Sequence, residues 1–177
     1  GSGLTFRCKN RRKWVNLACN STTGGSGAIK NLLLDYEDYL SSFKKRPIPN
    51  PVIILIDNDK GAAPIFAVLK EKFGITIKLS DKSDFYKIFE NLYLVKTMEL
   101  GKSGVSCIED FYDDSLLKTV IGGKKFNPQK AHDAPGEYGK VIFANNVIGP
   151  NIGKIDFSKF QPLLNRIIAA INDYKKP

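Results

Sequence analysis

Asp57 and Asp59 stand two residues apart, directly behind the apolar run Val52-Ile53-Ile54-Leu55-Ile56. If that run is a strand, side chains at i and i+2 leave it on the same side, so both carboxylates reach one edge of a sheet. Carboxylates that close repel one another unless a cation lies between them, and an all-oxygen donor set suits Mg²⁺ or Mn²⁺. A plainer explanation of the same spacing has Asp59 capping a helix that starts near Ala62 and Asp57 as a solvated turn residue. A second acidic pair, Glu109 and Asp110, opens a short helix over Ser106 to Asp110, where acids also serve as caps. Lys140 lies beside Val141 and Ile142 on an otherwise apolar helix face, from which an ammonium can reach a phosphate as a point charge or simply solvate. Gly24-Gly25-Ser26-Gly27 precedes a helix and could cradle phosphate. It lacks the Walker spacing and no convincing strand leads into it, so a glycine turn is the better reading. His132 has no serine or cysteine partner placed by the sequence, and no role is assigned to it.

These residues need elements to hold them. The face Ile29, Leu32, Leu33, Tyr36, Leu40, Phe43 follows helical spacing and predicts an amphipathic helix over 26–44, ended by Pro47, Pro49 and Pro51. The run at 52–56 is apolar at every position and rich in β-branched residues, which predicts a central parallel strand covered on both faces. A second helix is expected over 62–73 with Ala62, Ile65, Phe66, Leu69 and Phe73 inward, Pro64 in its first turn and Gly74 ending it. Strands are expected at 75–78 and 92–95, with 81–90 open between short helix and loop. Further along, a glycine-bearing loop over 101–106, a short helix at 114–120, a turn at 122–128 and helices at 137–148 and 156–174 complete the pattern. The last carries the face Phe160, Leu163, Leu164, Ile167, Ile168, Ile171. Helices alternating with short strands imply an α/β fold.

The 177 residues suffice for one ordinary domain and not for two of average size. Gly1-Ser2-Gly3 reads as a tag remnant, leaving 4–177 as a single domain, expected to be the C-terminal piece of a larger protein. With 42% hydrophobic and 25% charged residues the composition is that of a soluble globular protein. No apolar run approaches a membrane span and no signal peptide opens the chain, so a cytoplasmic protein with no membrane partner is expected. Cys8, Cys19 and Cys107 form no CxxC and, with one histidine, no usual zinc site; they read as free thiols. The net charge of +9, from 27 Lys plus Arg against 18 Asp plus Glu, clusters partly at Lys9, Arg11, Arg12, Lys13 and at Lys44, Lys45, Arg46. Such charge suits DNA or RNA as a partner, although a solvated face accounts for it equally well.

The segment from Pro51 to Ala62, with Asp57-Asn58-Asp59 at its centre, resembles the DxD segment of Toprim domains, the metal-binding fold of topoisomerases, primases and overcoming-lysogenization-defect nucleases. Within that group the chain looks most like the C-terminal extension of retron-type reverse transcriptases. Gly24 to Lys30, Ile108-Glu109-Asp110-Phe111, Gly123-Lys124-Lys125-Phe126 and Gly139 to Ala144 fall in the family's order, so the likeness covers most of the chain. The ordered set is far more specific than DxD alone. It implies an α/β Toprim-like fold, with a central, mostly parallel sheet and helices on both faces. It also implies Asp57 and Asp59 as ligands of Mg²⁺ or Mn²⁺, with Glu109 and Lys140 in the catalytic set as a further acidic ligand and a phosphate contact. Phosphodiester chemistry on DNA or RNA, an upstream reverse transcriptase domain and a part in phage defence follow from the same likeness.

One departure bears on activity. Toprim domains carry an earlier strand ending in glutamate, usually followed by glycine, and here no acid precedes Asp35. The resemblance therefore implies a piece that begins downstream of that strand, or else a nuclease-silent module that binds nucleic acid or its polymerase through its basic surface. A sugar-nucleotide transferase also places DxD after an apolar strand, but needs a nucleotide-binding half for which too few residues precede Asp57. An aspartyl-phosphate phosphatase would need Thr or Val where Gly61 stands.

Overall fold

The computed structural model describes residues 25–42, 48–100, 104–130 and 132–176. The basic clusters at Lys9 to Lys13 and Lys44 to Arg46, together with Cys8, Cys19, Gly24 and the start of the loop after Leu100, lie outside the described residues. The chain is mixed α/β, built on two small mixed sheets.

Helix α1 (Ser26–Ser41) buries Leu33, Tyr36 and Leu40, three of the residues of the expected apolar face. Strand β1 (Val52–Ile56) follows, then a 3₁₀ turn (Lys60–Ala62) and α2 (Ala63–Phe73). Pro64 lies in the first turn of α2, where no N–H is needed, and Gly74 closes the helix in the left-handed region at φ 68°. The chain then returns through β2 (Tyr86–Phe89) and β3 (Leu92–Lys96).

The first sheet has the order β1-β3-β2. β1 and β3 are parallel, from Val52 opposite Leu92 to Ile56 opposite Lys96, and β2 and β3 are antiparallel with a bulge between Lys87 and Phe89. The central strand is therefore β3, every residue of which is buried, and not β1 as its apolar run predicts. β1 is an edge strand among the described residues, with Val52 38% and Leu55 37% exposed. The reason is physical: β3 carries Tyr93 and Lys96, which look like surface residues but are buried with their polar atoms bonded. Tyr93 Oη donates to Asp173 at 2.9 Å and Lys96 Nζ to Leu79 O at 3.0 Å.

Two apolar layers enclose this sheet. On one face Leu33, Tyr36 and Leu40 of α1 and Ile65, Val68 and Leu69 of α2 pack with Ile54, Ile56, Leu92 and Leu94. On the other, Tyr93 and Val95 meet Leu163 and Ala170 of the last helix, α6 (Gln161–Tyr174). Helices thus cover both faces, although the sheet holds one parallel and one antiparallel pair rather than a mostly parallel set.

The second half is built around Tyr138, Phe143, Val147 and Ile148. α3 (Asp114–Leu117) stops short of the expected helix end because Val120 enters β4 (Val120–Ile121). Gly122 and Gly123, at φ 56° and 76°, supply the tight turn into β5 (Lys124–Phe126), so the expected turn is a hairpin. β6 (Glu137–Tyr138) pairs parallel with β5. The helix expected from Glu137 starts only at α4 (Lys140–Ile142), continues as a π-helical stretch (Phe143–Ile148) and ends in α5 (Gly149–Asn151).

Three further expectations are corrected. Residues 75–78 join no ladder, and 81–90 holds β2 rather than a short helix or a loop. The final helix is split into a 3₁₀ turn (Ser158–Phe160) and α6. α6 buries Leu163, Arg166 and Ala170, leaving Leu164 37% and Ile168 40% exposed. Arg166 turns the helix because both terminal nitrogens of its guanidinium are bonded inside, Nη2 donating to Glu99 at 2.9 Å and Nη1 to the carbonyls of Lys96 and Thr97 at 3.1 and 3.3 Å, while the buried Nε has no hydrogen bond. Among the described residues no helix is long and apolar enough to cross a membrane.

Candidate active site

The end of β1 is fixed by the middle residue of Asp57-Asn58-Asp59. Asn58 is fully buried and forms an isolated bridge with Ser106, donating its N–H to Ser106 O at 2.9 Å and accepting from Ser106 N at 3.0 Å. Its side-chain amide donates to Leu79 O at 3.0 Å and Gly104 O at 2.6 Å, while Lys96 Nζ donates to its Oδ1 at 3.3 Å. Thr97 completes the frame: its N–H reaches Ile56 O at 3.0 Å and its hydroxyl lies 2.7 Å from that of Ser106. Because alternate residues of an extended chain face opposite ways, an inward Asn58 sends Asp57 and Asp59 outward together.

The two acids then do different things. Asp57 Oδ1 accepts from Ile108 N at 2.9 Å, and its Oδ2 lies 3.5 Å from Lys140 Nζ. Asp59 accepts from Gly61 N at 2.8 Å and caps the 3₁₀ turn, as the plainer reading expects for a residue starting this helical segment. Gly61 is required for that cap, since a Cβ there would stand 2.9 Å from Asp59 Oδ1. Asp57 is no free turn residue: its side chain is 31% exposed and tied at both oxygens.

Glu109 arrives from the 3₁₀ turn Ile108–Phe111. The capping expected of this acidic pair falls to Asp110, which accepts from Cys107 N at 2.7 Å, and Glu109 turns inward instead. It is 8% exposed, and its Oε2 is buried without a hydrogen bond of proper geometry. What compensates it is the Lys140 ammonium, 2.8 Å away as an ion pair. Lys140 opens its helix, where the backbone dipole disfavours a cation. The carboxylates of Glu109 and Asp57 offset that.

The fold thus brings Asp57, Glu109 and Lys140 together from three separate elements, and of these Asp57 lines an adjoining cleft that it shares with Asp59, whose carboxylate is held by its own cap. That cleft has a volume of about 450 Å³ and is lined by Gly25 and Ser26 at the start of α1, by Leu55, and by Asp57, Asp59 and Ile108. Gly25, at φ 108°, gives α1 no side-chain cap. Gly25 and Ser26 thus share a cleft with Asp57 and Asp59, a placement no local pattern reveals.

Charge within the cluster is unevenly matched. Burial pushes the Asp57 carboxyl above its ordinary value, with Glu109 and Asp59 adding to the rise and Lys140 and the Ile108 N–H opposing it. Burial pulls Lys140 down, but its pairing with Glu109 and the field of Asp57 outweigh this, so it is held protonated. Cys107 is pushed up to about 12, first by burial and then by Glu109 and Asp110, which leaves an inert thiol. His132 is exposed in the loop leading to β6 and joins none of this.

No family model and no solved structure matches the chain. The site must be judged on its donors. Among the described residues no three His, Cys, Asp or Glu side chains converge on one point that could hold a metal ion. Mg²⁺ does not require three, because it keeps several waters and is bound through one or two carboxylates plus phosphate oxygens. Asp57 and Glu109, facing a single cation at 3.5 and 2.8 Å, fit that requirement.

Proposed function

We propose that this chain is a Toprim-like domain carrying out metal-dependent phosphodiester chemistry on DNA or RNA, with Asp57 and Glu109 as the carboxylates that hold Mg²⁺ or Mn²⁺. The observation that carries the reading is the convergence of Asp57 and Glu109, 52 positions apart by residue number, on one cationic group beside an open cleft. When bound there, the metal would act as a Lewis acid that offsets charge building on a phosphoryl oxygen. The chain's own residues do the rest. Asp57 is oriented by the Ile108 N–H, Asn58 holds the strand end rigid, and Asp59 presents its second oxygen to the cleft. The uncapped start of α1 offers amide donors to an anionic phosphate. A net charge of +9 favours a polyanionic substrate. The resemblance adds a reverse transcriptase as the polymerase partner and phage defence as the setting.

The test is cleavage of end-labelled single- and double-stranded DNA and RNA with Mn²⁺ or Mg²⁺ and with EDTA. Cleavage with metal that is lost with EDTA and in Asp57→Asn supports the reading; equal cleavage by wild type and Asp57→Asn contradicts it. A second reading, a nuclease-silent module that holds nucleic acid, draws on the cap that occupies Asp59 and the lysine that already neutralises the acid pair. Its signature is affinity that falls steeply with salt, roughly tenfold per few phosphate contacts, and is indifferent to EDTA.

A further inference from the structure

Three groups share the centre of the site, and they are not equally free to move. Asp57 is pinned through Oδ1 by the Ile108 N–H at 2.9 Å. Glu109 is 8% exposed, its Oε2 buried without a hydrogen bond and aimed at the cluster. Lys140, by contrast, has a side chain 35% exposed on four rotatable bonds, and apart from these two carboxylates it sits against the unfavourable positive end of its own helix. Two fixed anions and one movable cation describe an exchange site.

We propose that Lys140 is a built-in counter-ion that a divalent cation displaces from between Asp57 and Glu109. The inference rests on reading that acid pair as a cation site, and it assigns Lys140 a role other than a standing phosphate contact. A divalent ion brings twice the charge to the same two carboxylates, and its arrival releases an ammonium beside the cleft. The freed Lys140 then has no carboxylate partner in the cluster and is available to an anionic group. Metal and anion binding are thereby coupled, each strengthening the other by the same factor. Without metal, the lysine keeps the buried Glu109 oxygen compensated and the site closed to monovalent ions.

The competition has a measurable size. A site whose competent state is populated only a fraction of the time binds with its affinity reduced by that fraction. If the ammonium occupies the pair nine-tenths of the time, removing it tightens binding by about tenfold. The experiment is calorimetric titration of Mn²⁺ into wild type, Lys140→Met, Lys140→Arg and Asp57→Asn, with thermal melts of each. Lys140→Met is expected to bind Mn²⁺ about tenfold or more tightly than wild type, Lys140→Arg no more tightly than wild type, and Asp57→Asn not measurably. Should Lys140→Met bind equally or more weakly while Asp57→Asn still abolishes binding, the displacement is wrong and the metal reading survives. Mn²⁺ binding unchanged in Asp57→Asn would remove the metal reading itself. Because Lys140→Met leaves two carboxylates without their cation and can lose its fold, wild type is also followed by the ¹³Cε resonance of Lys140 during a Mg²⁺ titration. A shift towards the value of a solvated lysine, saturating with Mg²⁺, is expected; an unmoved resonance at saturation overturns the proposal.

Discussion

Replacing Glu99 by Gln should be the most damaging single isosteric change in the first half of the fold. Glu99 sits between two buried cations: Lys96, whose side chain has no exposure, and Arg166, at 3%. Arg166 Nη2 donates to Glu99 Oε2 at 2.9 Å, Nη1 lies 3.4 Å from Oε1, and Lys96 Nζ bonds the same Oε1. The nearest other acid at Arg166 is Asp84, 3.9 Å away and 69% exposed, too distant and too solvated to substitute. A glutamine keeps the volume but leaves two buried positive charges with no negative one, and breaking a buried ion pair from one side costs about 3–5 kcal/mol. For a domain of this size about 2–4 °C of Tm is lost per kcal/mol, so a fall of about 6–20 °C is expected. Thermal melts followed by far-ultraviolet circular dichroism measure the fall, and urea unfolding measures the free energy behind it. Burial raises the Glu99 carboxyl, but Arg166 and Lys96 outweigh burial and hold it below the ordinary glutamate value. Its stabilisation is therefore complete above a pH of about 4.3 and is lost as pH falls through the depressed folded value, so the gap between wild type and Glu99→Gln should close in acid. The triple variant Lys96→Met, Glu99→Gln, Arg166→Met should recover much of the loss, because no buried charge is left unpaired. A cost for Glu99→Gln below about 1 kcal/mol would refute the reasoning, since only a solvated pair is that weak.

Three further outcomes are expected. Asp57 has its carboxyl raised by burial, so ionising it works against folding: stability is greatest below the unfolded value and is lost as pH rises through the folded one. Melts of Asp57→Asn should therefore gain on wild type as pH rises above the ordinary aspartate value of about 3.9, and a gap that shrinks with pH would contradict this. Asn58→Ala takes its donor from Gly104 O, while Leu79 O and Lys96 Nζ keep each other, so the one orphaned carbonyl should cost about 1–3 kcal/mol and lower the urea midpoint accordingly. Cys107, with its thiol pushed up to about 12, should resist iodoacetamide at pH 8 under native conditions and react after unfolding, as read by mass spectrometry of its peptide.

The sequence was most legible where one element decides its own shape. Helix α2 is an example, because Pro64 can only sit in a first turn and Gly74 supplies the left-handed cap that ends it. Asp59 is another: its local cap on Gly61 follows from spacing alone. Legibility failed where distant partners choose. The apolar runs of β1 and β3 look alike, and what makes β3 central is that Tyr93 and Lys96 find partners as far away as Asp173 and Leu79. The buried face of α6 is hidden from the sequence for the same reason, since Arg166 becomes an inward residue only when Glu99 and two strand-end carbonyls are already in place. In the site, Asp57, Glu109 and Lys140 each stand out as residue types, yet their meeting depends on the Asn58–Ser106 bridge, which a sequence with no pairing information does not display. The hairpin at Gly122-Gly123 was the missed local signal: two glycines between Val120-Ile121 and Lys124-Lys125-Phe126 are a turn between strands.

The central claim is that Asp57 and Glu109 form a divalent cation site, and Mn²⁺ tests it by the position of its paramagnetic broadening. In amide correlation spectra of the full chain, substoichiometric Mn²⁺ should first erase Asp57, Ile108, Glu109 and Lys140, and then the neighbouring Gly61. Mg²⁺ in excess should restore them. Broadening centred instead on the exposed acids around Asp113 and Asp114, or none at these residues at saturation, would contradict the account.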